Sequence, residues 1–346
     1  MRRVKQADIA KKLGISIATV SRALKNRIEI SEEVREKVRQ VAKELSYQPN
    51  FMASNLRAQK NFVIGVIIPK IVHEYMASII KGISEEAHSS PYQLMIHLTN
   101  DSYQKEVKAM ELFANGMVDG VLICATNETI YTEHFDILRE NNIPFVMFDK
   151  DIQKLQAPKV VVDDFSGALR AVEHLIEQGY QHIAHLQDNM VSHGSQKRLK
   201  GYYSALKRHK LTKNSEYVVQ LSSISIDESR RVTEDLLKTH PEIDAIFAIT
   251  DEIAVGALQA AQQAGKKIPE EFGVIGFSNW QISRVVQPSL STIAQPGTEV
   301  GRTAFRLLMH HIENPRYFQD NFPVKILKTK LLVRESTDRK IGLAQK

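Results

Sequence analysis

The stretch QADIAKKLGISIATVSRALK, residues 6–25, decides how the N-terminal part of this chain is read. Ile9, Ala10 and Leu13 recur at helical spacing, and after a break Val20, Ala23 and Leu24 do so again. Between the two runs lies Leu13-Gly14-Ile15-Ser16. Gly14 accepts the positive φ that ends a first helix, and Ser16 is a good N-cap for a second. Ala10 is small where the helices must approach, and Ile15 and Val20 fill the wedge between them. A short helix, a glycine turn and a second short helix form the unit that lays a recognition helix in the DNA major groove.

The second helix turns small and polar residues outward: Ser16, Ile17, Ala18, Thr19, Ser21, Arg22 and Lys25. Hydroxyls and lysines suit phosphates, Arg22 suits a bidentate contact to guanine, and small apolar groups suit thymine methyls. A third helix is expected from the N-cap Ser31, with Glu32 and Glu33 in its first turn, to about Leu45. Val34, Val38, Val41, Ala42 and Leu45 form its inward stripe.

Charge singles out the same region. The first sixty residues hold 14 Lys or Arg against 6 Asp or Glu, and the rest of the chain 32 against 34. A basic head on a near-neutral body predicts a polyanion partner for the head alone. A three-helix protein-binding bundle is the competing reading, and the basic charge with this turn chemistry disfavours it.

The run DIAKKLGISIATVSRALKN, followed by ISEEVREKVRQVAKELSYQPNFMASNLR, resembles the head and hinge of the LacI/GalR family of bacterial repressors over about the first sixty residues. The resemblance implies base readout by Ile17 and Ala18, with Arg22 one turn later, and phosphate contacts by Ser16, Thr19 and Ser21. Ile17 and Ala18 cannot hydrogen-bond through their side chains, so readout there rests on shape and methyl contact. The segment 49–61 opens at Pro49 and has Asn50 and Ser54 among apolar residues. So short a helix is marginal alone and needs a partner. By resemblance it is a hinge helix pairing with a second copy in the minor groove, where Leu56 would wedge between base pairs; apolar wedges are a known minor-groove device.

From Phe62 the pattern changes. FVIGVIIP, YQLMIHL, GVLICA, PFVMF, VVVDD, HIAHLQ, AIFAIT and FGVIGF read as buried strands, and 75–89, 103–116, 166–178, 227–239 and 252–265 as helices. Such alternation predicts parallel sheets with right-handed crossovers. The expected fold is an all-α helix-turn-helix head (1–48), the linker 49–61, and an α/β core (62–340) like a periplasmic binding protein, with a tail at 341–346. The resemblance implies two doubly wound lobes, about 62–161 with 291–324 and about 162–290 with 325–340.

Ligands of open α/β sheets bind beyond the carboxyl ends of the strands. Residues just after the apolar runs include Ile71, His73, Tyr75, Thr126, Asp149, Lys150, Asp163, Thr250, Asp251, Ser278, Asn279 and Trp280, and Arg198 opens a helix after another strand. Tyr75 and Trp280 can stack on a flat ligand, while Asp149, Arg198, Asp251 and Asn279 can grip hydroxyls or ring nitrogens. The resemblance implies ligand contact at Tyr75, Asp149, Arg198, Thr250 and Asn279. Many relatives carry acidic residues where this chain has Ser278 and Asn279, and the loss of charge favours a neutral polar ligand such as a sugar. The stretches STIAQPGTEVGRTAFRLLMHHI and LLVREST extend the resemblance over nearly the whole chain.

No Walker-type loop, CxxC pair, HExxH or GxSxG occurs, so neither an enzyme nor a resident cofactor or metal is expected. Asp163-Asp164 reads as a helix cap, and Cys124, the one cysteine, as a packed core thiol. No apolar run reaches the roughly 18 residues of a membrane span. The basic N-terminus lacks an apolar segment after it, which with the lone thiol predicts a cytoplasmic protein. The expected function is a homodimeric repressor of carbohydrate genes on a near-palindromic double-stranded operator, controlled by a small-molecule effector. A transporter's solute-binding protein, and a regulator controlled by a protein partner, are the rival readings.

Overall fold

The computed structural model describes residues 4–47, 60–71, 74–152, 154–188 and 193–339. The chain divides into two compact units, 1–61 and 62–346.

The first unit contains α1 (Gln6–Leu13), α2 (Ile17–Leu24) and α3 (Glu32–Glu44). Gly14 adopts φ 66° at the end of α1, a conformation that costs other residues strain. Ser16 caps α2, its Oγ accepting the Thr19 N–H at 3.0 Å. Ser31 precedes α3 as expected but makes no side-chain capping bond. Ile9, Val20, Ala23 and Val38 are fully buried, with Ala10, Ile15, Leu13 and Val34 packed around them. The apolar positions chosen by helical periodicity are therefore the ones that meet.

The second unit is built from two six-stranded sheets. The first contains β1 (Val63–Ile68), β2 (Gln93–Leu98), β3 (Gly120–Ile123), β4 (Phe145–Phe148), β5 (Lys159–Val162) and β11 (Val324–Leu327). The second contains β6 (Ile183–Asp188), β7 (Val218–Leu221), β8 (Ala245–Ala248), β9 (Gly273–Ser278), β10 (Ser291–Ala294) and β12 (Lys330–Leu332). Their orders, β2-β1-β3-β4-β5-β11 and β7-β6-β8-β9-β10-β12, repeat one doubly wound topology. All pairings are parallel except β10 with β12. The central strands are buried along most of their length, because helices cover both faces.

The helices are α4 (Glu74–His88), α5 (Tyr103–Ala114), α6 (Asp136–Glu140), α7 (Asp164–Glu177), α8 (His193–Arg208), α9 (Ile226–Thr239), α10 (Asp251–Gln263), α11 (Ile282–Val285) and α12 (Gly297–Glu313). Helix α12 follows a strand of the second sheet yet packs on α4 beside the first. The seam between these helices is glycine-tight. A Cβ on Gly82 would lie 2.0 Å from the Thr298 carbonyl oxygen, and one on Gly301 2.0 Å from that of Ile79.

The strands correct the expected lobe boundaries at two places. Ser291–Ala294, expected in the first lobe, pairs with β9 of the second sheet. Val324–Leu327, whose residues from 325 onward were expected in the second lobe, pairs with β5 of the first. The chain thus crosses near residues 163, 295 and 328. An apolar run encodes that a strand forms, and its partner is settled only by packing at a distance.

A DNA-reading helix and a cleft between two sheets

In the head, Ser16, Ile17, Ala18, Arg22 and Lys25 are exposed, and Thr19 and Ser21 are half-buried. Ile17 is 51% exposed, far more than packing within three helices explains. Ser16 Oγ and Thr19 Oγ1 lie 2.8 Å apart, so a hydrogen bond beside the capping bond ties together the hydroxyls that flank the apolar patch. The basic residues divide into two sets. On α3, Arg35, Lys37 and Arg39 are paired with Glu32, Glu33 and Glu36, and Lys12 with Glu44. Among the described residues, no hydrogen bond or ion pair engages the charged ends of Arg22, Lys25 and Arg27. Glutamates neutralise the outer face of α3, and the cationic face belongs to α2 and the turn after it. Asn50 and Leu56 lie outside the described residues, as does the whole linker between Tyr47 and Lys60.

In the core, a cavity of about 200 Å³ lies where the carboxyl ends of the two sheets face each other. Tyr75, Asp149, Arg198, Thr250 and Trp280, all singled out from sequence, line it. Lys150, after β4, and Ser278, the last residue of β9, do so too.

Arg198 projects from the first turns of α8, with its guanidinium carbon 3.8 Å from the centre of the Phe277 ring. Its Nε and Nη2 donate to one oxygen of Asp164 at 2.9 and 2.8 Å, and its Nη1 donates to the Ile249 carbonyl. A guanidinium has five N–H donors, so two remain for a ligand. Asp164 is the first residue of α7, capped in turn by Asp163, whose Oδ1 accepts the Ser166 N–H at 3.0 Å.

Asp149 sits one residue past β4 at φ 67°, its N–H donating to the Val160 carbonyl at 2.9 Å. Burial raises its pKa; Lys150 and Arg198 pull it back, and Asp164 pushes it further up. The Cys124 thiol donates to its Oδ2 at 3.7 Å. Burial and Asp149 hold that thiol well above its ordinary pKa, so it is protonated and unreactive. The Tyr75 hydroxyl is buried with no hydrogen-bond partner among the described residues, and its pKa is raised well above 10, first by burial and then by Asp149. Asp188, at the end of β6 in the other lobe and outside the cavity lining, has one buried carboxylate oxygen with no partner among the described residues. Unsatisfied buried polar atoms of this kind are costly and are ordinarily met by a ligand or water.

Three of the expected residues stand elsewhere. Thr126 is buried behind the cleft wall, its N–H bonded to Glu106 at 2.6 Å and its hydroxyl 2.8 Å from that of Thr129. Asp251 is fully buried, its carboxylate accepting from the Thr292 hydroxyl at 2.5 Å and the Trp280 N–H at 2.6 Å. Burial raises its pKa to about 6, against those two hydrogen bonds. Asn279 faces an adjoining groove, and its Oδ1 accepts from Arg334 at 2.6 Å. Each position follows a strand, but the strand-end rule does not reveal whether a side chain turns to the cavity or into the frame behind it. Ile71 does not border the cavity, and His73 lies outside the described residues.

Lys70, Asp101, Asn127, Ile224 and Gln295 also border the cavity and were missed from sequence. Asp101 and Gln295 lie just past β2 and β10, so the strand-end rule, applied there, would have found them. Ile224 follows β7, a strand of only four residues, too short to give a strong strand signal. Lys150 Nζ donates to Asn127 Oδ1 at 2.6 Å, and Ser278 Oγ to Gln295 Oε1 at 2.8 Å.

A helix-turn-helix with a bare cationic reading face, in one chain with a two-lobed binding cleft, defines a ligand-responsive DNA-binding transcriptional regulator. The chain belongs to the lacI family of bacterial regulatory proteins: residues 6–50 match that family's DNA-binding region, and residues 61–330 match the periplasmic binding proteins and sugar binding domain of the LacI family. It is 34% identical over 330 residues to the ribose operon repressor of Halalkalibacterium halodurans, covering 95% of this chain and 96% of the relative. A LacI family regulator from Enterococcus faecium, solved with bound ribose, aligns with a TM-score of 0.69 and 26% identity over 80% of this chain and 98% of its own. The lac repressor dimer bound to operator and the anti-inducer ONPF aligns with a TM-score of 0.86 over 97% and 99%; at 23% identity it attests the fold. No helix among the described residues is long and apolar enough to cross a membrane.

Proposed function

We propose that this regulator is a cytoplasmic, homodimeric repressor of carbohydrate-utilisation genes whose effector is a single-ring neutral sugar held between the two lobes. The observation that carries the effector class is the cleft. Its volume of about 200 Å³ lies below the roughly 300–1,000 Å³ of pockets for drug-sized ligands, which favours one ring over a disaccharide or nucleoside. Among the described residues its under-satisfied groups are chiefly acceptors or hydroxyls: Tyr75 Oη and Asp149. A polyol brings many donors, and the spare N–H groups of Arg198 can meet its oxygens. Ser278 and Thr250 add hydroxyls without charge. D-Ribose is the first sugar to try, because it is named with both a relative and a structural neighbour of this chain.

Tyr75, Asp149, Arg198, Thr250 and Trp280 are assigned to effector contact, and Ile17, Ala18 and Arg22 to base edges, with Ser16, Thr19, Ser21 and Lys25 on phosphates. Two heads read the halves of a near-palindrome, and Asn50 and Leu56 act in paired hinges at its centre. Effector binding alters the angle between the lobes and with it operator affinity.

The test is selection of bound duplexes from random DNA by full-length protein, with and without single sugars, followed by calorimetry. A near-palindromic consensus whose enrichment changes with one monosaccharide supports the reading. Strong selection with no response to any sugar would sink the effector assignment and turn the search to other metabolites or a protein partner.

A further inference from the structure

Among the described residues, two hydrogen-bonded ties cross the cleft, and each is made by residues next in sequence to cavity-lining side chains. Glu74 precedes Tyr75, and its carboxylate accepts the backbone N–H of Gln281, which follows Trp280, at 2.5 Å. Asp151 follows Lys150, and Lys197 precedes Arg198. Lys197 Nζ, on α8 of the second lobe, lies 3.1 Å from Asp151 Oδ2, beside the first. The other oxygen of Asp151 accepts from Lys159 Nζ at 3.2 Å, and Lys159 also donates to the Ile152 carbonyl.

The two lysines differ in a way that matters. Lys159 belongs to β5, and its side chain is 7% exposed, so it fixes Asp151 on the first lobe. The Lys197 side chain is 31% exposed and belongs to an element of the other sheet. Separating the lobes breaks the bond to Lys197 and leaves the bond to Lys159 intact. Asp151 is thus a preset acceptor and Lys197 the partner that arrives on closure. The pairing also fixes the backbone on either side, which carries Asp149 and Lys150 on one wall and Arg198 on the other.

We propose that Asp151 and Lys197 are positioning residues forming an ionic clasp across the cleft mouth, which favours the closed lobes and makes closure sensitive to ionic strength. The clasp goes beyond the sugar-repressor reading and relies on it only for the statement that an effector binds within the closed cleft. A partly exposed ion pair shifts an equilibrium by a factor of about 2–5. Its longer-range attraction is screened as the Debye length falls from about 10 Å at 0.1 M salt to about 3 Å at 1 M. The Glu74–Gln281 tie has only one charged member and should respond less.

The experiment uses full-length protein carrying spin labels at Glu140→Cys on the first lobe and Lys207→Cys on the second, both exposed; Cys124 is buried and stays unlabelled. Electron–electron distance measurements without effector, at 50 and 500 mM NaCl, report the ratio of closed to open lobes. With Lys197 intact the ratio should fall about 2–5-fold on raising the salt. Lys197→Met should start at the high-salt ratio and not respond, with an unchanged melting temperature, and Lys197→Arg should restore the response. Identical populations and salt response in the parent and Lys197→Met would overturn the clasp. D-Ribose titrated by calorimetry forms a second arm. A weakening in Lys197→Met by the same 2–5-fold supports the clasp, and equal affinity in both proteins opposes it. Absence of ribose binding would count against the effector assignment alone, because the distance measurement decides the clasp without a ligand.

Discussion

Arg198 binds a single oxygen of Asp164 through two nitrogens, Nε at 2.9 Å and Nη2 at 2.8 Å, while its guanidinium lies over Phe277. The pair is 12% and 8% exposed and belongs to two helices, α8 and α7, of one lobe. A cation that can touch the ligand is therefore oriented and compensated before any ligand arrives. Such preorganisation lowers the ordering cost of binding.

That geometry separates two effects of substitution. Arg198→Ala leaves Asp164 buried and uncompensated, which costs about 3–5 kcal/mol of stability. Arg198→Lys keeps the charge but loses the fork and the stacking on Phe277. Urea unfolding should show Arg198→Lys much closer to the parent than Arg198→Ala. Calorimetry should show sugar binding at least tenfold weaker in Arg198→Lys; undiminished binding would remove Arg198 from the effector site.

On the DNA side, Arg22→Ala should cost about 1–3 kcal/mol in operator binding and relax selection at one base pair, as expected when a bidentate guanine contact is lost. Lys25→Ala should weaken all sequences alike and reduce the salt slope by about one. Fluorescence anisotropy on the selected operator and on single-base variants, at several salt concentrations, distinguishes the two.

The seam of α4 and α12 predicts a sensitive site far from either ligand. At Gly301 a Cβ meets a backbone oxygen at 2.0 Å, and main chain cannot rotate away as a side chain can. Gly301→Ala should destabilise the core by about 3 kcal/mol, at the upper end of ordinary overpacking. A urea midpoint like the parent's would show that the helices separate more easily than the packing implies.

The pH dependence of stability should carry the signature of His185. It is buried between Tyr202 and Phe247, donates from Nδ1 to the Phe247 carbonyl, and has its pKa lowered to about 4, chiefly by burial. The unfolded chain takes up this proton near pH 6.5 and the folded one only near 4. Its contribution, about 3 kcal/mol, is complete above pH 6.5 and lost as pH falls toward 4. Asp251, raised to about 6, works in the opposite sense, its proton favouring the fold as pH falls from 6 toward 3.8. Urea midpoints from pH 7 to 4 should fall less steeply in His185→Phe, which preserves the stacking without the titration. An unchanged slope would contradict the assignment.

The head was legible because its logic is local. Gly14, Ser16 and the periodic apolar residues specify caps, turn and inward faces within some twenty residues. Buried strands such as Val63–Ile68 and Phe145–Phe148 were equally legible as short apolar runs. The short strands Val218–Leu221 and Val324–Leu327 were not: each has four residues, three of them apolar around one Gln or Lys, too short a run to stand out, and only one of the eight is buried.

Within the site, sequence determined which residues stand at strand ends, and so brought Tyr75, Asp149, Arg198, Thr250 and Trp280 into view. Tertiary structure alone decided that Asp251 serves Thr292 and Trp280 and that Asn279 serves Arg334. It also decided that β10 belongs with β9, and β11 with β5. The physical reason is range. Helix caps, turns and burial periodicity are fixed by neighbours along the chain, whereas strand pairing and the direction of a side chain at a strand end depend on partners more than a hundred residues away for β11, and on packing that exists only once both sheets have formed.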